Sequence, residues 1–469
     1  MKIEQIYTGC LAHGAYYIES RGEAVVIDPL RDYTPYVKKA EMNGAKIKYI
    51  LETHFHADFV SGHLDLARAT GAPIVFGPTA EPGFEAHIAR DGEELKVGDI
   101  TLVVLHTPGH TMESTTYLLR DEKGKDRAIF SGDTLFIGDV GRPDLAVKTD
   151  LSMEDLAGHL YDSLRNKIMT LPEEVIIYPG HGAGSACGKN LSEERWDTLG
   201  NQKKLNYALR PNMSREDFVK EVTEGLLAPP QYFPKNAMLN KMGYESIDTA
   251  FESGLQSLSP EKFEAAANEF GALVLDTRNP EDFAAGHIPN SINIGLDGDF
   301  APWVGALIKD LSQPILIVSE KGREEEAVTR LARVGYDHSI GFLENGFSAW
   351  KESGSEYTTI ETLSPQRLAE DYVPGKIKLV DVRKPGEYQA EHVDGAVNVP
   401  LDFLNEEMDT LSSNEKMYLH CAGGYRSMIA ASILKARGFD QLVNVDGGFD
   451  QIKLTSIPKT EYVCPSTLV

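Results

Sequence analysis

Residues 51–63 read Leu-Glu-Thr-His-Phe-His-Ala-Asp-Phe-Val-Ser-Gly-His, and they follow an apolar strand at Ile47–Leu51. Three histidines and an aspartate crowded into a turn behind a strand read as a metal site, because imidazole and carboxylate at that density serve an ion more often than packing. Working outward, three further polar turns follow strand-like runs. Pro108-Gly109-His110-Thr111 follows Ile100–His106, Ser131-Gly132-Asp133-Thr134 follows Ala128–Phe130, and Tyr178-Pro179-Gly180-His181 follows Val175–Ile177. Each polar group sits just past a strand end, so loops at one edge of a sheet could bring them to one point.

The order HxHxD, PGHT, SGDT, YPGH resembles the metallo-β-lactamase fold family, and the likeness covers roughly residues 1–245. The fold this implies is an αβ/βα sandwich of two sheets. Hydrolytic members of that family hold two zinc ions, the second partly through a histidine directly after the HxHxD aspartate. Here that position is Phe59, which cannot ligate. The chain is more similar to the single-metal persulfide dioxygenase branch. That likeness implies one ferrous ion, Fe(II), held by His54, His110 and Asp133, a two-histidine, one-carboxylate set that leaves coordination positions open. It leaves His56, Asp58 and His181 either as hydrogen-bonding supports for those ligands or as remnants of a lost zinc site. Tyr178, Arg142 and Asp144 fall where relatives line or brace the pocket. Cys187, a few residues past His181, reads either as a thiol that takes up sulfane sulfur or as a small buried hydrophobe.

The remaining chain bounds the answer. A length of 469 residues exceeds one ordinary core. Hydrophobic residues at 42% and charged ones at 25% are typical of a soluble globular protein. The formal net charge of −25 disfavours the nuclease members of the first family, since phosphate backbones demand a cationic surplus. No apolar run reaches the roughly 20 residues that span a bilayer, and Met1-Lys2-Ile3-Glu4-Gln5 opens into strand-like alternation. We therefore expect no nucleic-acid partner, no membrane association and a cytoplasmic location. Four widely spaced cysteines, Cys10, Cys187, Cys421 and Cys464, suit thiols better than a disulfide framework. Within the first domain, strands are expected over 3–8 and 24–28. Helices are expected at Thr34–Asn43 with Thr34 as N-cap, at His63–Thr70, at Met153–Lys167 and at Glu193–Leu205. The Gly-rich segment 138–144 suits a pocket loop, and Leu226–Gly243, with its prolines, suits either the end of the first domain or a semi-rigid connector.

Beyond the connector the chain repeats itself. The Asp-x-Arg core at Asp276–Arg278 recurs at Asp381–Arg383, an offset of 105 residues that persists from His287 to His392. Later the offset slips to 102, between Gly346-Phe347 and Gly448-Phe449. Both copies, about 253–355 and 358–469, resemble the rhodanese fold, an α/β domain on a parallel sheet, whose sulfur-carrying cysteine opens a loop between strand and helix. The second copy has it: Lys416–His420 reads as the strand, Cys421-Ala422-Gly423-Gly424-Tyr425-Arg426 as the loop, and Met428–Arg437 as the helix. The first copy carries Ser319 there and reads as catalytically dead, a packing and positioning element. Backbone N–H groups of Ala422, Gly423, Gly424 and Tyr425 at a helix N-terminus would cradle a thiolate or persulfide, and Arg426 would bind an anionic acceptor such as sulfite. Cysteine phosphatases use a similar cradle with five residues between Cys and Arg, whereas four separate Cys421 from Arg426. Asp381, Arg383 and His392 recur in the dead copy as Asp276, Arg278 and His287, which favours a fold-stabilising role. Cys10 and Cys464 read as structural.

The whole chain is similar to bacterial fusions of persulfide dioxygenase with tandem rhodanese domains. That resemblance implies Fe(II)- and O2-dependent oxidation of a low-molecular-weight thiol persulfide to thiol and sulfite. It also implies transfer of sulfane sulfur from Cys421 to sulfite, giving thiosulfate, in a homo-oligomer of dimer or tetramer type. The thiol carrier stays open among glutathione, coenzyme A, bacillithiol and cysteine. Two rivals stand: a glyoxalase II-like thioester hydrolase fused to a sulfurtransferase, and a non-catalytic sulfur-delivery or partner-binding pair.

Overall fold

Strand alternation decides how the first unit is layered. In Glu23–Ile27, Val25 and Ile27 point one way while Ala24 and Val26 point the other, and all four are buried. The strand is therefore covered on both faces, as sheet strands under helices are. The computed structural model describes residues 1–146, 151–189, 191–226 and 228–464, and the chain divides into two compact units, one of Met1–Ile247 with Ala332–Gly335 and one of Asp248–Leu331 with the chain from Tyr336 onward.

In the first unit, one six-stranded sheet runs in chain order through Lys2–Thr8, His13–Ser20, Glu23–Ile27, Lys46–Leu51, Ile74–Phe76 and His87–Ile88. The second sheet orders Asp197–Thr198, Ile176–Pro179, Asp126–Gly132, Thr115–Arg120, Ile100–His106 and Glu94–Val97. Val25, Ile27 and Leu51 meet Leu102, Val104, Tyr117 and Leu119 between the sheets. Ala24 and Val26 pack outward on Tyr36, Ala40 and Leu66 of the helices Thr34–Asn43 and His63–Thr70. Val103, Leu118, Ile129 and Ile177 pack on Ala157, Leu160, Phe218 and Val222 of the helices Met153–Ser163 and Arg215–Thr223. This is a helix, sheet, sheet, helix sandwich, and each buried aliphatic stabilises it by about 1.5–3 kcal/mol.

Several local expectations are corrected. The helix Thr34–Asn43 is capped at Tyr33 with no side-chain bond, so Thr34 is its first residue rather than its cap; Pro35 opens the turn as expected. Residues 193–196 are not helical. Asp197–Thr198 instead pairs antiparallel with Ile176–Ile177, and Thr198 caps the helix Leu199–Leu205 by accepting from Asn201 N. The helix begun at Met153 ends at Ser163 and continues as a wider turn over Leu164–Ile168. Of the two readings of Leu226–Gly243, the structure places the stretch at the end of the first unit, where it forms a helix, Phe233–Met242, with Pro234 in its first turn; residue 227 lies outside the described residues.

The second unit holds two five-stranded parallel sheets of the same strand order, one per repeat. The first orders Ser257–Leu258, Ser339–Leu343, Ile315–Val318, Leu273–Asp276 and Ile292–Asn293. The second orders Glu361–Leu363, Leu442–Val445, Met417–His420, Lys378–Asp381 and Val397–Asn398. In each, the central strand feeds a loop and then a helix, Glu324–Ala332 or Tyr425–Ala436. Residues 465–469, the expected end of the second copy, lie outside the described residues.

Candidate functional site

The strands Lys46–Leu51, Ile100–His106, Asp126–Gly132 and Ile176–Pro179 all deliver their polar turns at their C-terminal ends. His54, His110 and Asp133 converge there, fully buried, with ligand atoms within 4.8 Å of one another. Hydrogen bonds fix how each presents itself. Thr53 Oγ1 donates to Asp28 Oδ2 at 2.8 Å, so its contact with His54 Nδ1 at 3.0 Å uses the imidazole as donor and leaves His54 Nε2 a bare lone pair. His110 Nδ1 donates to the Arg142 carbonyl at 2.8 Å, which leaves His110 Nε2 bare as well.

Both nitrogens face Asp133 Oδ2, at 4.0 and 3.5 Å, and that oxygen has no hydrogen-bond partner. Three buried acceptors with no proton among them repel one another unless a cation sits at their centre, so this donor set fits a divalent metal ion. Burial, reinforced by the neighbouring His56, pushes the His54 pKa well below the usual range and keeps the ring neutral. Burial alone would raise Asp133, but His181, with His54 and His110, holds it well below the ordinary carboxylate range.

His181 is engaged on both sides. Its Nδ1 lies 2.8 Å from Asp133 Oδ1 and its Nε2 2.8 Å from Asp58 Oδ2. Burial opposes its charge, yet the two carboxylates outweigh it and raise the pKa well above the histidine range. Phe59 is fully buried, its ring 4.4 Å from that of His56 and 4.2 Å from that of His13. His56 lies 3.2 Å from Asp28 and 3.6 Å from Glu52, in a group separate from the three convergent acceptors.

Arg142 ties two loops together. Its guanidinium grips Asp144 through two bonds of 2.7 Å and reaches the Ala186 carbonyl, while its backbone N–H donates to the Cys187 carbonyl. Gly141 is required beside it, because a Cβ there would lie 1.9 Å from the Asp133 carbonyl oxygen and 2.9 Å from His110 Nδ1. Cys187 joins Asp58 and His181 in a second buried group. Burial first, then the carboxylates of Asp58 and Asp133, push its thiol well up, so it stands protonated rather than as a thiolate. Tyr178 stacks on Phe130, centroids 5.4 Å apart, and packs near Tyr16 in the core between the sheets.

In the second unit, Cys421 is buried at the end of Met417–His420, and Gly424 N–H donates to its Sγ at 3.0 Å. Gly424 holds φ of +107°, which only glycine adopts readily, and this turns the loop into the helix Tyr425–Ala436. The Arg426 guanidinium is already taken: Nη1 and Nη2 donate to Glu387 at 2.7 and 2.9 Å. In both copies Asp-x-Arg forms the same brace, with Arg278 over Phe347 and Arg383 over Phe449. His287 and His392 stack on Phe283 and Tyr388.

A cleft of about 470 Å³ beside the Cys421 loop is walled by both copies, among them Asn279, Ala284 and Gly295 of the first and Gly423, Tyr425 and Asn444 of the second. Tyr425 Oη donates to the Gly295 carbonyl at 2.7 Å, and a Cβ on Gly298 would lie 2.4 Å from the Tyr425 ring. Gly298→Ala, in the copy without a thiol, is expected to cost about 1–3 kcal/mol of stability by overpacking against the Tyr425 ring. Urea unfolding checks this; an unchanged midpoint would mean that the ring moves aside freely.

Residues 8–181 match the metallo-beta-lactamase superfamily, and residues 259–353 and 364–455 match the rhodanese-like domain. A solved Staphylococcus aureus structure described as a metallo-beta-lactamase is 32% identical, with a TM-score of 0.64, over 98% of that chain and 73% of this one. The chain belongs to the metallo-beta-lactamase superfamily. Behind that fold it carries tandem rhodanese-like domains. The mitochondrial persulfide dioxygenase of Homo sapiens is 32% identical over 217 residues, 45% of this chain and 76% of that protein. The cytoplasmic hydroxyacylglutathione hydrolase of Arabidopsis thaliana is 33% identical over 186 residues, 39% of this chain and 67% of that protein. Identity therefore does not separate an oxidising from a hydrolysing metallo-beta-lactamase relative, and the site residues must do so. Among the described residues no helix is long and apolar enough to cross a membrane.

Sequence reasoning passed over Asp28, Thr53, Gly141 and Glu387. Asp28 is the last residue of the run Ala24–Asp28, directly before Pro29, and Thr53 immediately precedes His54. Those placements were the available signal.

Proposed function

We propose that the chain oxidises a low-molecular-weight thiol persulfide with O2 at His54, His110 and Asp133, and moves a second sulfane sulfur through Cys421 to sulfite, giving thiosulfate. The observation that carries this reading is the state of His181: both ring nitrogens are committed to carboxylates, and Phe59 stands where another ligand would be needed. A second metal would have to break the Asp58–His181–Asp133 chain and draw on the protonated Cys187 thiol in place of an imidazole at position 59. Single-metal chemistry is favoured over the two-zinc hydrolysis of the thioesterase relatives.

A ferrous ion in this set would supply the redox chemistry that joins O2 to sulfur. The protein's own groups do the rest. Thr53 and the Arg142 carbonyl aim the two imidazole lone pairs, His181 fixes one oxygen of Asp133 and frees the other, and the burial of all three acceptors keeps bulk water from them. The balance is one persulfide, one O2 and one water giving the thiol, sulfite and two protons, a four-electron oxidation in which O2 is the electron acceptor.

At Cys421 a second persulfide loads the thiol by exchange and releases its own thiol. Sulfite then attacks the outer sulfur, the Cys421 S–S bond breaks, and the cysteine leaves as thiolate with no outside oxidant. Gly424 N–H, at 3.0 Å from Sγ, stabilises that leaving thiolate together with the helix N-terminus behind it.

Metal analysis combined with an oxygen electrode tests the reading. Iron-loaded protein, given a panel of persulfides, is expected to hold one iron per chain, consume O2 and release sulfite. Two zinc ions per chain with thioester hydrolysis and no O2 uptake would overturn it.

A further inference from the structure

The sulfur-transfer loop contains a contradiction in charge. Its acceptor, on the reading above, is a dianion that must approach an anionic persulfide, so the site needs a free positive group. Arg426, the guanidinium best placed for that, donates through both terminal nitrogens to Glu387 in a bidentate pair, and Arg383 is spent on Asp381. Glu387 is itself held in place. It lies on the helix Pro385–Ala390, and its Oε2 also accepts from Lys384 N–H at 3.1 Å.

The pair is only partly covered, with the Glu387 side chain 36% exposed and that of Arg426 18%. An anion from solvent can therefore reach it, and the carboxylate can swing into water without being stranded. The dead copy makes the contrast. At the offset of 102 residues Glu324 occupies the position of Arg426, and the nearby Arg323 is bound to Asp297 and Glu326. The thiol and the arginine at that position of the loop are missing together there.

We infer that Glu387 is a specificity-determining residue of the Cys421 site: it occupies Arg426 as a resident anion, and the acceptor must take its place on the guanidinium before transfer. This rests on the sulfur-carrier reading of Cys421. It follows that acceptor affinity is set by an exchange of anions, and that a monoanion competes with Glu387 less well than a dianion of sulfite's shape. Loading of Cys421, which needs no second anion on Arg426, does not involve the exchange.

The test uses the full chain, pre-loaded with persulfide and mixed with sulfite, with sulfate as an unreactive dianion. Glu387→Gln keeps an oxygen for the Lys384 cap and removes the charge. It is expected to lower KM for sulfite and the inhibition constant for sulfate on the order of fivefold, the ratio an ion pair of this exposure supports, with kcat not raised in step. In an Arg426→Gln background the same substitution should change neither constant, because the group being contested is gone. Glu387→Asp, which restores the charge, should return KM toward the parent value.

An unchanged sulfite KM in Glu387→Gln, or the same effect of that substitution with and without Arg426, would overturn the inference. Mass spectrometry of the parent protein keeps the two claims apart. If Cys421 gains the mass of one sulfur, the carrier reading stands whatever the KM values do; if it never loads, the carrier reading falls, and the Glu387 inference falls with it.

Discussion

His110→Ala protein is expected to lose its bound metal on dialysis and to consume no O2 with any persulfide, while still passing sulfur from pre-loaded Cys421 to added sulfite. The size of the effect follows from the geometry. His110 supplies one of three acceptors, its lone pair aimed at Asp133 Oδ2 by the bond from Nδ1 to the Arg142 carbonyl. Alanine removes the acceptor together with the Nδ1 bond to the Arg142 carbonyl, in a buried loop where Gly141 has no room for even a Cβ. Losing an outer partner of a metal ligand costs about 10–100-fold in affinity, and losing the ligand itself should exceed that. Thr53→Val gives the graded control: it keeps His54 but removes the hydroxyl that orients it, so metal binding should weaken by about that 10–100-fold range, with O2 uptake recovered at high iron. Metal titration and an oxygen electrode read both variants. A His110→Ala protein that kept its iron and its O2 uptake would remove His110 from the ligand set.

How far the site was legible in the sequence follows from where its parts lie. His54, His110, Asp133 and His181 could be picked out because each sits in a short turn directly after an apolar strand, and a sheet brings such turns to one edge. What orients them could not be read in the same way. Thr53 meets Asp28 only because Glu23–Ile27 and Lys46–Leu51 run parallel and side by side, which juxtaposes residues 25 apart in the chain. Likewise Glu387 reaches Arg426 across 39 residues, so a sequence search that looked within the Cys421 loop alone found the cation without its counter-ion.

The misjudged elements have local causes. Residues 193–205 carry a helical composition throughout, but Thr198 as a cap and the pairing of Asp197–Thr198 with Ile176–Ile177 start the helix late. The prolines of 226–243 left a semi-rigid connector open beside the end of the first domain, yet Pro234 sits in a first turn, where its missing N–H costs nothing, and so it begins a helix rather than preventing one. The repeat was the most readable feature of the second half. The Asp-x-Arg brace and the His stacked four residues after an aromatic are fold-building contacts present in both copies, whereas the thiol is present in one.

Cys421→Ser protein should consume O2 and release sulfite at the parent rate but form thiosulfate at least about a thousandfold more slowly, since a hydroxyl cannot take up sulfane sulfur and no second nucleophile replaces it. The expectation is sharp because the rest of the cradle survives. Serine is smaller than cysteine, Gly424 N–H keeps an acceptor, and the Asp381–Arg383 brace, the Phe449 N–H bond to the residue 421 carbonyl and the Tyr425–Gly295 bond are untouched. Loss of thiosulfate therefore reports chemistry rather than collapse of the fold, which circular dichroism and urea unfolding would verify. The alternative carrier, Cys187, is held protonated by burial and by Asp58 and Asp133, so it is poorly suited to substitute. Sulfite should accumulate in the Cys421→Ser reaction in the amount that the parent converts to thiosulfate, because joining both steps in one chain raises the effective concentration of each product at the next site without altering the first reaction. Thiosulfate produced at the parent rate would mean that sulfite meets persulfide elsewhere and that the loop at 421–426 is not the transfer site.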